Sequence, residues 1–318
     1  GATFFVIGVG YLYMATGSLN MADIALRLEN TGANRTVQVA FAFIAIGMAL
    51  KLALFPLHVW LPNSYTFAPS IVSIFLSATA TKVSVYVLIR FSFTVFGREM
   101  DFIDDIFVLL AMPLAIIAMF SMSIVAIFQK DFKRILAYSS LAQIGYMVLG
   151  ISFFSQDGLT ATFVTLFNHG VTKASLFMAV GVFACLAGGS LFKDLNGIGR
   201  KMPFTGLAFT IACLSLIGVP GTAGFVSKWL LVEAAMERDL VLIGVLVIAS
   251  SLLSIIYVWR MLEHIFFAEN PVQIGDRRVS FRVIIPLWIL SAGCVYFGLD
   301  TSLVIDASET AARSFLGN

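Results

Sequence analysis

Four lysines and a histidine stand where apolar surroundings penalise them: Lys51, Lys82, His169, Lys173 and Lys228 each lie inside a long apolar run. A lysine at the centre of a membrane helix costs roughly 2.5–3.5 kcal/mol to insert. Four together approach about 10 kcal/mol, comparable to the stability of a whole domain. A cost of that size points to a use. The chemistry that lysine offers there is proton carriage. Its charge state answers to desolvation and to neighbouring charge, so a row of such groups, each biased by the next, passes protons in steps. The plainer reading is a side chain that snorkels to the interface. It suits Lys228, a turn from Glu233, and suits Lys82 poorly, since apolar and small residues flank it on both sides.

Helical spacing gives these groups company. Thr165, His169 and Lys173 recur every four residues and so share one helix face. Ser73, Ser77, Thr81 and Ser84 form a stripe beside Lys82, and Ser139, Gln143 and Tyr146 form another. Interhelical hydrogen bonding accounts for any one stripe. Beside buried lysines on neighbouring helices, the stripes read as walls of a hydrated path. Two runs are also interrupted, one around Pro56, His58 and Pro62, the other at Gly218, Pro220, Gly221 and Gly224. Unwound backbone at membrane depth survives only where protein or water satisfies it, and interruptions paired between two halves mark repeat-built transporters. Lys51 precedes the first break and Lys228 follows the second. Leu231, further along, is expected to face lipid.

The elements that must position these residues follow from composition. Hydrophobic residues are 59% of the 318, charged residues 12%, and the mean hydropathy is +0.96. A soluble domain carries about 25% charged residues, and apolar runs here match the length of a bilayer core again and again. The chain is therefore expected to be an all-α, polytopic transmembrane helix bundle. Its nine spans fall at 1–19, 37–57, 73–96, 106–128, 135–154, 159–187, 204–235, 240–267 and 283–299, with the second and seventh discontinuous. A polar, partly amphipathic loop (Asp23, Arg27, Glu29, Asn34, Arg35) joins the first two. Lys130, Lys133, Arg134, Lys193, Arg200, Lys201, Arg277, Arg278 and Arg282 fall on one side. Arg27, Arg35, Arg98, Arg238 and Arg313 fall on the other, diluted by Asp101, Asp104, Asp105, Glu233, Glu237 and Asp239. The positive-inside rule puts the first side in the cytoplasm.

Other chemistries are disfavoured. Cys185, Cys213 and Cys294 stand singly in apolar stretches, which reads as buried small hydrophobes; no CxxC or Cys/His cluster suggests a disulfide framework, an iron–sulfur centre or zinc. A net charge of +2 without a basic run gives no sign of nucleic-acid binding. No GxSxG, HExxH or paired aspartates occur in the spans, so no cofactor, metal or intramembrane catalysis is expected. The first residue, Gly1, already lies in an apolar run, with no initiator Met and no charged signal start.

The wording of the breaks and stripes is specific. Lys51-Leu-Ala-Leu-Phe-Pro-Leu-His58-Val-Trp-Leu-Pro62, then Ala68-Pro69 and Ala80-Thr-Lys82-Val-Ser-Val-Tyr86, resembles the central motif of the antiporter-like proton-translocating subunits. These occur in respiratory complex I, membrane-bound hydrogenases and Mrp-type Na⁺/H⁺ antiporters. The stretches Asp131-Phe-Lys-Arg-Ile-Leu-Ala-Tyr-Ser-Ser140 with Gln143-Ile-Gly-Tyr146, Asn168-His-Gly-Val-Thr-Lys173 and Gly218-Val-Pro-Gly-Thr-Ala-Gly-Phe-Val-Ser-Lys228 resemble the next three blocks, in order. The wording looks most like the D-type member of the Mrp antiporters.

The resemblance implies a fourteen-helix, inverted-repeat subunit of which this chain corresponds to helices six to fourteen. Residues 1–102 would end the first repeat, with its broken helix and Lys51 and Lys82. Residues 103–270 would form the second, with His169, Lys173 and the broken helix bearing Lys228. Residues 271–318 would be the C-terminal helix and tail. Carried over, Lys51, Lys82, His169, Lys173 and Lys228 form the relay. Thr81, Thr165, His58, Ser139, Gln143 and Tyr146 support it. The family also has a glutamate paired with the lysine at Lys51, on a helix not found here, so the chain reads as part of a longer subunit and is not expected to translocate ions alone. The expected function is proton translocation in a multisubunit cation/proton antiporter of a bacterial or archaeal cytoplasmic membrane, with other membrane subunits, protons, Na⁺ and lipid as partners. The competing readings are a pump driven by a redox partner and a structural scaffold.

Overall fold

In hydrocarbon every backbone polar group needs an internal partner, so apolar length becomes helix. The computed structural model describes residues 1–97, 100–269 and 279–317. Arg98, Arg277 and Arg278 lie outside them. Helix α1 (Ala2–Thr16) bends by 58° into α2 (Met21–Thr31), followed by α3 (Arg35–Leu52) and α4 (Trp60–Phe67). The next span, 70–95, is α5 (Ser70–Phe75), a π-helical turn (Leu76–Ala80), α6 (Thr81–Ile89) and a second π-helical turn (Arg90–Val95). α7 (Asp101–Ile106) continues through a third (Phe107–Ala111) into α8 (Met112–Ile127). Then come α9 (Phe132–Ser152), α10 (Gln156–Ala187), the short α11 (Ile198–Lys201), α12 (Pro203–Ile217), α13 (Ala223–Glu237), α14 (Val241–Phe267), α15 (Phe281–Leu299) and α16 (Ser302–Leu316). Among the described residues, seven helical stretches are long and apolar enough to cross a membrane, and an eighth counts if α1 and α2 are one bent span. The pair α12–α13, each too short alone, occupies the seventh expected position.

Two segments read as loop and tail are helices. In α2 the Asn20 side chain accepts from the amides of Ala22 and Asp23 (3.0 and 3.4 Å), and Arg27 pairs with Asp23 at 2.9 Å. Cap and ion pair suit an amphipathic helix at an interface. α16 is the second, packed on α10 through Phe315 against Phe163. Their apolar stripes are too short to cross a bilayer core.

The centre is α9 and α10. In α9, 94% of the apolar window is buried, against 33% for α14. Asp131 caps α9, accepting from the Arg134 amide at 3.1 Å, while its other oxygen accepts from Ser190 at 2.8 Å. Asp131 also bridges to Leu191, and the Gly197 amide donates to the His264 carbonyl at 2.8 Å. The loops carrying Lys130, Lys133, Arg134, Lys193, Arg200 and Lys201 therefore meet at one end of the bundle. Gly145 lets α9 touch α8: a Cβ there would lie 2.8 Å from the Ala115 carbonyl.

Both breaks exist, with different boundaries from those expected. α3 stops at Leu52 because Ala53 takes φ +60°. That is upstream of Pro56, as expected where the residue before a proline is steered from helical geometry. Pro62 does not break a helix. It sits in the first turn of α4, where a missing N–H costs little. The second break is sharp: α12 ends at Ile217, Gly218 takes φ +88°, and α13 begins at Ala223. Gly224 belongs to the first turn of α13 and lies so close to the Ser215 carbonyl that a Cβ would collide with it. Gly221 has φ +85° and open surroundings, the nearest atom to a Cβ being Leu299 Cδ2 at 3.8 Å.

Candidate functional site

Lys173 sits on the long helix α10, against the most enclosed helix, α9, and is itself 0% exposed. Its Nζ donates to the Leu136 carbonyl (2.8 Å) and to Ser139 Oγ (2.5 Å), both on α9. These partners are neutral. Among the described residues the salt bridges are Asp23–Arg27 and Glu309–Arg313, both at the surface. A buried ammonium held by neutral oxygens can give up its proton without leaving an unpaired carboxylate behind.

One helical turn away is His169, 5% exposed, whose two ring nitrogens are both buried without a hydrogen-bond partner. It faces a polar cavity shared with Gln143 of α9, Thr165 and Thr172 of α10, Ser215 of α12, and Ser227 and Lys228 of α13. The free space, about 10 Å³ for a water's centre, suits about one water molecule. Thr165 returns its hydroxyl to the Ala161 carbonyl at 2.6 Å. Thr172 and Ser215 share a hydrogen bond at 2.9 Å. Asn168 pins α10 to the start of α13, donating to the Ala223 carbonyl (2.9 Å) and Ser227 Oγ (3.0 Å).

Lys228 lies across the cavity. Its Nζ donates to the carbonyls of Ile217 (2.6 Å) and Leu216 (3.3 Å), the last residues of α12. It also stands 5.6 Å over the Tyr146 ring, whose hydroxyl pairs with Ser250 at 2.7 Å. Helix-terminal carbonyls carry partial negative charge and favour a cation, so the second break is what holds this lysine.

Lys82 is half-buried, and its Nζ donates to the Ser77 carbonyl inside the first π-helical turn. That turn packs on α10: a Cβ on Gly170, the residue after His169, would lie 3.2 Å from the Ala78 carbonyl. Thr81 is buried beside it. The rest of the expected stripe is committed to backbone, Ser73 to the Tyr65 carbonyl (2.8 Å) and Ser77 to that of Ile74 (3.0 Å).

Four expectations are corrected. Lys51 is exposed, lining an open groove of about 680 Å³ with Trp60, Thr79, Val83 and Ser84, because the end of α3 leaves that face uncovered by the other described helices. His58 is half-buried, stacked on Phe55 at 5.5 Å, and does not line the cavity of His169 and Lys228. Leu231 is 1% exposed and packs against Gly150, since α13 turns that face to α9 and α10. Cys185 is exposed, whereas Cys213 and Cys294 are buried. Sequence reasoning passed over Asn168, Thr172, Ser215 and Ser227. The available signal was spacing: Thr172 is three residues from His169, and Ser215 three before Gly218.

A polytopic bundle in which a helix break holds a half-buried lysine, and that lysine shares a polar cavity with a buried histidine, has the architecture of an antiporter-like membrane subunit. Residues 1–254 match the family described as NADH:quinone oxidoreductase/Mrp antiporter, TM, and the chain belongs to that family. It is 39% identical over 317 residues to the N-type chain of NADH-quinone oxidoreductase from Desulforudis audaxviator, covering 96% of this chain and 63% of that protein. It is 30% identical over 318 residues to the D-type chain of the Na(+)/H(+) antiporter from Alkalihalophilus pseudofirmus, covering 98% of this chain and 63% of that protein. Among solved structures it superimposes on a chain of the Mrp complex from Dietzia sp. with a TM-score of 0.89 at 25% identity, covering 99% of this chain and 65% of that one. A chain of the archaeal membrane-bound sulfane sulfur reductase matches with a TM-score of 0.90 at 28% identity, covering 99% of this chain and 63% of that one. This chain thus spans just under two thirds of the length of the relatives it matches.

Proposed function

We propose that this chain supplies the proton-carrying half of an antiporter-like subunit, working inside a multisubunit complex of a bacterial or archaeal cytoplasmic membrane. The supporting observation is the series of buried Lys173 and His169 on α10, then the polar cavity that His169 shares with the half-buried Lys228 at the break between α12 and α13. Lys82, with its carbonyl partner in the turn that packs on α10 beside Gly170, feeds that run from the first half. The basic loops at the far end of α9 mark the cytoplasmic side. A proton moves from Lys173 to the neutral imidazole of His169, through the cavity water, and onto Lys228 once that lysine has discharged.

Two drivers fit. The likeness to the D-type antiporter chain supports exchange against Na⁺, and the greater identity to the N-type chain of a quinone oxidoreductase supports a pump driven by a redox partner. Proton uptake into vesicles carrying the assembled complex separates them, because exchange needs a Na⁺ gradient and pumping needs an electron donor. In either assay Lys173→Met is expected to reduce proton movement to the background of vesicles lacking the complex, with the subunit still assembled. Retained movement would remove Lys173 from the path.

A further inference from the structure

We infer that the break between α12 and α13 is a binding site for one alkali-metal cation, which competes with the charged form of Lys228 for the carbonyls at the end of α12. The inference rests on Lys228 being a proton carrier, as proposed above.

The oxygens are the first argument. The carbonyls of Leu214 and Ser215 are capped by the amides of Gly218 and Val219, whereas those of Leu216 and Ile217 turn to the Lys228 ammonium. Ser215 Oγ accepts from the Gly224 amide at 3.2 Å and shares a hydrogen bond with Thr172, which places two hydroxyl oxygens on the same cavity. Unwound carbonyls and hydroxyls are the neutral, hard donors that suit Na⁺ or Li⁺.

The second argument is His169. It is almost wholly buried, lines this cavity, and leaves both ring nitrogens unpartnered. A buried imidazole without partners is costly. A water in the shell of a bound cation would satisfy one nitrogen from the space the cavity provides.

Charge is the third. Among the described residues no carboxylate lines the cavity, and the partial charge of one helix end supports one positive charge. An ammonium or an alkali ion fits that allowance; both together, or a divalent ion, do not. The exchange balances in charge: the ammonium of Lys228 releases one proton, Na⁺ takes its place on the Leu216 and Ile217 carbonyls, and the lysine remains as a neutral amine.

The test is binding of radioactive Na⁺ to the purified, assembled complex at one fixed pH, with choline as the inert cation. Lys228→Ala removes the competing ammonium, so Na⁺ affinity should rise about tenfold over the parent. Adding Thr172→Val and Ser215→Ala to that variant should abolish the gain, while Thr172→Ser, which keeps the hydroxyl, should preserve it and exclude a folding artefact. Equal Na⁺ binding in the parent and Lys228→Ala overturns the site, as does a gain indifferent to Thr172 and Ser215. Proton movement in Lys228→Ala is read in parallel. If it persists, the proton-carrier reading falls; if it is lost while Na⁺ binding is unmoved, the cation site alone falls.

Discussion

Lys51 and Lys228 each stand beside a helix break, but their surroundings differ. Lys228 is half-buried, pointing back onto two carbonyls of α12 and over the Tyr146 ring of α9. Lys51 stands at the end of α3 in an open groove. The contrast shows what a break contributes. Interrupting a helix frees carbonyls, but they become a cation site only where the following segment folds back on them. In the second break α13 does so, because Gly224 permits contact with Ser215. In the first, the Leu50 carbonyl near the end of α3 is taken by the indole of Trp60, the first residue of α4, at 2.9 Å.

The sharpest challenge to this contrast is at Lys82. Arginine keeps its proton at every reachable pH, so Lys82→Arg preserves the charge beside the π-helical turn yet cannot relay. Proton movement should fall nearly as far as with alanine at the same position. A rate near that of the parent would show that the first half supplies charge only.

Next comes the packing that holds Lys228 in place. Leu231→Ala on α13 should destabilise the fold by about 2–5 kcal/mol, as cavity-forming substitutions do in a tight core, read as a lower melting temperature of the complex. An unchanged melting temperature would return Leu231 to the lipid face.

The two glycines of the second break separate contact from conformation. Gly224→Ala drives a methyl group into the Ser215 carbonyl and should cost about 1–3 kcal/mol with loss of transport. Gly221→Ala has room and bears only the left-handed backbone penalty of about 1–2 kcal/mol, so transport should largely survive. Equal transport defects would mean that the break acts through flexibility, not through the contact.

The spans and both breaks were legible because bilayer length and proline or glycine leave strong marks in a sequence. So was the position of Lys173 in the interior of the bundle. Rotation about helix axes was not. Whether Lys51 or Leu231 faces a neighbour depends on tertiary packing, and α13 has buried and exposed residues on faces that its nearly uniform apolarity does not distinguish. Helices α2 and α16 were hidden by short stripes, and the partners of Lys173 and Lys228 by being backbone carbonyls, which no residue type announces.

In the proposed path His169 links Lys173 to Lys228, and the most direct test is proton movement in vesicles carrying the complex with His169→Leu. An apolar side chain of similar bulk keeps the packing and removes the titratable group that lines the cavity with Lys228. The expected result is transport at background with the complex intact and Lys173 still bonded to Ser139. Transport at the parent rate would contradict the path.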